Sequence, residues 1–158
     1  MRFIAILLVV CALTSCFDIP FYSKSRTVDA HGWYSSDTLK FEFNIPDSTT
    51  RFNSHVDLSH TASYPYSNIF LFIDITYPNA KHRVDTLECV LADNRGNWYG
   101  SGLGDMVNHR IEYLNDIAFP LSGKYELGIT HGMRSEPLEE ITDLGLRLES
   151  VSLESSRN

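Results

Sequence analysis

Hydrophobic positions along this chain alternate with polar ones at a period of two. Leu39, Phe41, Phe43 and Ile45 share one face of an extended segment, Lys40, Glu42 and Asn44 share the other, and Pro46-Asp47-Ser48 ends it. Val56 and Leu58 predict a shorter strand. The run Ile69 to Tyr77 is apolar on both faces over its first half, which predicts a strand inside a sheet. Alternation returns over Val84 to Leu91 and closes at Asp93-Asn94-Arg95-Gly96-Asn97. Asp, Asn and Gly tolerate the positive φ of a tight turn, so a hairpin into Trp98-Tyr99 is expected. Further strands are predicted at Arg110 to Ala118, at Lys124 to Thr130 with Tyr125, Leu127 and Ile129 inward, and at Asp143 to Val151 with Leu144, Leu146 and Leu148 inward. Long helical periodicity is missing, and just the segments around Gly104 to His109 and Pro137 to Ile141 suit a short helical turn. The expected fold is therefore all-β, a single antiparallel β-sandwich of jelly-roll-like form.

The first residues, MRFIAILLVVCALTSC, follow a different grammar: one cation at Arg2, an apolar run from Phe3 to Leu13, then small polar residues. That is the pattern of a signal peptide, and the run is well short of the roughly 20 apolar residues a membrane-spanning helix needs. Leu13-Thr14-Ser15-Cys16 resembles a bacterial lipobox, in which cleavage precedes the cysteine and its thiol takes a diacylglyceryl group, with palmitate among the acyl chains. A plain secretory signal with Cys16 as a free thiol is the alternative. Two or three acyl chains on Cys16 would hold the protein on the membrane essentially permanently, where one chain holds marginally. The organisation expected is a lipoprotein signal peptide over 1–15, a lipidated tether over 16–27, a β-sandwich domain over 28–153 and a frayed tail over 154–158. After cleavage Cys16 and Cys89 remain, so no disulfide forms within the mature domain. Cys89, within an alternating run, reads as a small buried hydrophobe.

Charge narrows the partners. The chain carries 13 Lys and Arg against 20 Asp and Glu, a formal charge of −7, with no basic run, which argues against nucleic acid and other polyanions. With 43% hydrophobic and 12% aromatic residues it buries enough apolar surface to offset its ordering entropy, in one domain. Six histidines (31, 55, 60, 82, 109 and 131) form no H-x-x-x-H or H-x-E pair, so no metal or other cofactor is assigned. The Asp93 to Asn97 turn lacks the length and terminal glutamate of an EF-hand. Gly100-Ser101-Gly102-Leu103-Gly104-Asp105 lacks the Lys-Ser/Thr of a phosphate loop, and its glycines suit a tight path with Asp105 capping backbone amides. No serine sits in a G-x-S-x-G elbow, and paired carboxylates for glycoside hydrolysis are neither favoured nor excluded by spacing. No catalytic residue is assigned. The aromatics Trp33, Tyr34, Tyr64, Tyr66, Trp98 and Tyr99 suit either a sandwich core or a face for glycans. Arg134 and Glu136, beside His131-Gly132-Met133, either line a contact site or solvate a loop.

Several ordered blocks then come together: Tyr64-Pro65-Tyr66-Ser67-Asn68-Ile69-Phe70-Leu71-Phe72-Ile73; Asp85-Thr86-Leu87-Glu88-Cys89; Leu91-Ala92-Asp93; and Gly96 through Asp105. Phe119-Pro120, Gly123-Lys124-Tyr125, His131-Gly132-Met133-Arg134 and Asp143 through Glu149 continue the series. In order and spacing these blocks resemble the gliding-motility lipoprotein H (GldH) family of the Bacteroidota. The resemblance implies a non-catalytic lipoprotein of the cell envelope, on the outer membrane facing the periplasm, with envelope or gliding-machinery proteins as partners. Phe17-Asp18-Ile19-Pro20 carries one acid and no Lys-Asp/Glu-Glu cluster, which favours periplasmic retention over surface export. The partner surface is expected at Trp98, Tyr99 and Asp105 with Met133 and Arg134, since loops on a rigid sheet are where binding sits. A lipid-anchored glycan-binding module on the same fold is the alternative function.

Overall fold

The computed structural model describes residues 19–151, so the expected signal peptide, the expected lipid-attachment residue Cys16 and the expected tail over 154–158 lie outside it. Eight strands follow in chain order: β1 (Tyr22–Thr27), β2 (Leu39–Ile45), β3 (Arg51–Thr61), β4 (Asn68–Thr76), β5 (His82–Val90), β6 (Met106–Ala118), β7 (Gly123–His131) and β8 (Ile141–Ser150). They form two antiparallel sheets of order β1-β8-β3-β6 and β2-β7-β4-β5. Every connection except the β4–β5 hairpin passes from one sheet to the other, which is the winding of a jelly roll. The described residues contain no helix.

The core fills the space between the sheets from alternate positions of each strand. Phe41, Phe43 and Ile45 of β2, Ile69 through Ile75 at alternate positions of β4, and Tyr125, Leu127 and Ile129 of β7 face Phe52, Val56 and Leu58 of β3 and Leu144, Leu146 and Leu148 of β8. Each such side chain contributes about 1.5–3 kcal/mol by leaving water. As its pattern predicts, β4 is internal, between β7 and β5.

Three segments differ from their sequence pattern. Residues 22–27, assigned to the tether, form β1 and pair with β8 from Tyr22↔Leu148 to Thr27↔Asp143. YSKSRT gives no apolar alternation because this edge strand is held mainly by its main chain, with Tyr22 alone half-buried. Val56 and Leu58 belong to a strand of 11 residues whose inward positions include Ser54 and His60, and those polar residues mask the alternation. Residues 106–109, suited on pattern to a helical turn, instead open β6 with Val107 and His109 inward. The second such segment, at 137–141, likewise forms no helical turn, with Leu138 bridging to Trp33 and Glu140 at φ +71° before β8.

The winding sorts the loops by end. Segments 46–50, 77–81 and 119–122 lie at one end, beside residue 19, where the described chain enters, and Val151, where it leaves. The longer segments 28–38, 62–67, 91–105 and 132–140 gather at the other, a strand's length of about 30 Å away.

Candidate functional site

The four longer loops are bound to one another through their main chains. Trp33 and Leu138 exchange two hydrogen bonds, at 2.9 and 2.8 Å, joining 28–38 to 132–140. Thr61 N–H donates to the Glu140 carbonyl at 2.9 Å and Ala62 N–H to the Asp105 carbonyl at 2.8 Å, and both Leu91 and Ala92 donate to the Ser67 carbonyl. Within 91–105, Asp93 accepts from the amides of Arg95 and Asn97, and Gly96 takes φ +83° to complete the turn. Two residues past Trp98 the chain passes so close to β6 that a Cβ at Gly100 would stand 2.6 Å from the Asn108 carbonyl oxygen. Gly100 is required there for approach rather than for flexibility.

Side chains continue these links beneath the loops. Trp98 is half-buried, its ring 4.5 Å from that of His60 and 6.5 Å from that of Tyr64. Tyr64 stacks edge-on with Tyr66 at 5.5 Å, and the Tyr66 hydroxyl bonds to the Ser135 hydroxyl. The residues expected to bind partners thus divide. Trp98 and Met133 are anchored, the latter accepting a hydrogen bond from the Phe70 amide on Sδ at 3.4 Å. Tyr99, Asp105 and Arg134 stand in solvent. Asp105 meets the neighbouring loop through its main-chain carbonyl. Tyr99 is 68% exposed and Leu103 92%, and Tyr99 stands beside Val90 of β5 and Ile111 of β6. Leu103 was not singled out on pattern, since a single leucine between glycines carries no periodic signal. Of the six aromatics that suited either core or glycan, Trp33 and Tyr64 are buried and Trp98 and Tyr66 half-buried, so most of the set is core and its border.

Under Trp98 lies a histidine pair that spacing did not foretell. His60 and His109 face each other from β3 and β6 with Nε2 atoms 2.9 Å apart and rings nearly parallel at 19°. His60 Nδ1 is 2.7 Å from the Thr61 carbonyl and must donate to it, so His60 Nε2 carries the lone pair and His109 Nε2–H donates. Burial, then the neighbouring His60, push His109 down to about 4, and burial lowers His60 as well. The pair is neutral and structural. His131 is buried against Trp33 with its ring nitrogens unpaired, and Glu136 at 3.7 Å only partly offsets the lowering that burial causes.

Two further buried or part-buried groups have shifted acidities. Cys89 is 1% exposed and burial pushes its thiol up to about 12, as expected of a packing cysteine. Asp85 is pushed up by burial and pulled further down by Arg83 and by the Tyr113 hydroxyl, which donates to it at 2.5 Å across the open side of the sandwich. Among the described residues no group of three or more His, Cys, Asp and Glu gathers as a metal site.

The family described as GldH lipoprotein matches residues 20–148. A gliding motility lipoprotein GldH homolog of Christiangramia forsetii is 32% identical over 143 residues, covering 86% of this chain and 87% of its own. The gliding motility lipoprotein GldH of Flavobacterium johnsoniae is 32% identical over 151 residues, covering 91% and 93%. Among solved structures, a family GH115 4-O-methyl-α-glucuronidase shares 15% identity at a TM-score of 0.44, over 89% of this chain and 19% of that one. A viral VP2 subviral particle protein shares 15% at 0.35, over 82% and 30%, and neither likeness bears on function. The match runs along nearly the whole described chain, and this chain belongs to the GldH lipoprotein family.

Proposed function

We infer that this protein is a non-catalytic docking lipoprotein of the gliding machinery, anchored through Cys16 to the outer membrane and facing the periplasm. The observation that carries the reading is the cross-tied loop end, opposite the point where the chain enters from its anchor, presenting Tyr99, Leu103, Asp105 and Arg134 on a fixed frame. A surface that is already ordered loses little entropy on binding, which suits a docking face. Both curated relatives carry gliding motility in their names, and that supports the machinery as the place to seek the partner.

Affinity capture of the full lipidated protein from detergent-solubilised envelope tests this. Tyr99→Ala and Arg134→Ala should each lower recovery of the captured envelope proteins by about fivefold to thirtyfold, the range of an interface hot spot, without moving the melting temperature. Wild-type yields with both variants, or no specific protein captured by the wild type, would refute the reading. Trp98 does not serve this test, because truncating it also strips cover from His60 and Tyr64.

A further inference from the structure

The outer face of the β2-β7-β4-β5 sheet is not a flat wall. It holds a depression of about 560 Å³ bordered by Lys40, Phe72, Asp74, His82, Glu126 and Thr130, within the usual size of a small-ligand site. Register explains the shape. Lys40, Gly128, Asp74 and Val84 form one cross-strand row, so β7 contributes a glycine, with the Thr38 methyl against it, where β2 and β4 raise longer side chains. The row on one side holds Glu42, Glu126, Thr76 and His82, and on the other Thr130, Phe72 and Thr86.

Phe72 is the unexpected member, an aromatic 43% exposed in the middle of a sheet. Its ring lies against Gly132, where a Cβ would stand 2.9 Å from Cε2 and 3.0 Å from Cζ. The absent side chain lets the ring lie down over the main chain at the rim of the depression. Around it, donors and acceptors of both signs are interleaved: Lys40 Nζ is 3.1 Å from Glu126 Oε1, His82 Nδ1 is 3.4 Å from Asp74 Oδ1, and Thr76 Oγ1 is 3.1 Å from His82 Nδ1.

This combination selects among ligands. A polyanion would meet Asp74 and Glu126, and an apolar ligand would strip water from Lys40, Asp74 and Glu126 without replacing it. A polyol does neither, since each hydroxyl both donates and accepts and the C–H face of a pyranose lies flat on an aromatic ring. We propose that this sheet face is a binding site for a neutral oligosaccharide, with Phe72 as the stacking ring and Lys40, Asp74 and Glu126 as its hydrogen-bonding partners. The site uses none of Tyr99, Leu103, Asp105 and Arg134, so it stands whether or not the docking reading does.

Isothermal titration of the full-length protein in detergent, with the β-1,4-linked tetramers of glucose and of N-acetylglucosamine as probes, tests it. Saturable binding of at least one tetramer is expected, weakened about tenfold or more in Phe72→Ala and in Asp74→Asn. Binding of the N-acetylglucosamine tetramer points to cell-wall glycan as the source, and of the glucose tetramer alone to an exogenous polysaccharide. Absence of saturation by either probe overturns the proposal, as does wild-type affinity in both variants. If Phe72→Ala disturbs the circular dichroism spectrum, Asp74→Asn decides alone. Loss of a captured envelope protein in these variants, without saccharide binding, would make the face a protein contact and equally overturn it.

Discussion

Acid should loosen this fold before its carboxylates begin to titrate, and the His60–His109 pair is the reason. His109 sits at about 4 in the native state, against about 6.5 for a free imidazole. Below pH 6.5 the unfolded chain therefore takes up a proton that the native ring refuses. Stability is whole above about pH 6.5, falls as pH drops, and levels off below about 4. The gap corresponds to on the order of 3 kcal/mol from His109, at a slope near 1.4 kcal/mol per pH unit around pH 5. His60 and His131, lowered by burial as well, steepen the fall in the same window. The acids held below their ordinary values, such as Asp85, act lower still, where the unfolded carboxylates protonate. Urea denaturation followed by tryptophan fluorescence at pH 7.5, 5.5 and 4.5 measures the slope, with unchanged m-values as the check on two-state behaviour. In His109→Gln the amide can still donate to His60 Nε2 but does not titrate. That variant should start less stable and lose about 1 kcal/mol less per pH unit than the wild type. Equal slopes in the two proteins would refute the reasoning.

Two further outcomes follow from buried groups. Cys89 should resist a thiol reagent at pH 8 in the native, leaderless Cys16→Ser protein and react fully in urea; stoichiometric labelling without denaturant would contradict its burial. Tyr113→Phe removes the donor that crosses from β6 to Asp85 and should cost about 1–2 kcal/mol by urea denaturation at pH 7. A change below about 0.3 kcal/mol would mean that Arg83 alone satisfies the carboxylate.

The strands that face the core in alternation were legible from the chain: Leu39–Ile45 and Lys124–Thr130 lie within strands, and Ile69–Tyr77 and Asp143–Val151 do so up to their last residue. Burial writes itself into sequence as period two, so elements without burial or with polar inward positions do not show. β1 is held by main-chain bonds that any residue could make, and Ser54, His60 and His109 occupy inward positions as polar residues whose partners are distant in sequence. The loops at the distal end were legible as loops, through Asp93-Asn94-Arg95-Gly96-Asn97 and the glycines after it, but their mutual ties are long-range. Trp98 shows the limit plainly, since a tryptophan after a turn reads the same whether it points at solvent or, as here, at a histidine from another strand. Phe72 shows the converse: in a run apolar on both faces nothing marks which aromatic stays outside, and its ring rests on Gly132, in a loop distant in sequence.

The opposite placement of chain entry and long loops has a mechanical meaning. If the N-terminal side is held at the membrane and a partner grips the loops, tension between them runs along the strand axes. β1 is the first strand after the anchor, and its ladder to β8 spans six residue pairs, from Tyr22↔Leu148 to Thr27↔Asp143. Inter-strand hydrogen bonds lie across the strands, so a pull along β1 stretches the whole ladder at once instead of opening it pair by pair. The strand with the faintest sequence signature is therefore the one arranged as a shear clasp, and its resistance to pulling rests on backbone pairing rather than on buried side chains.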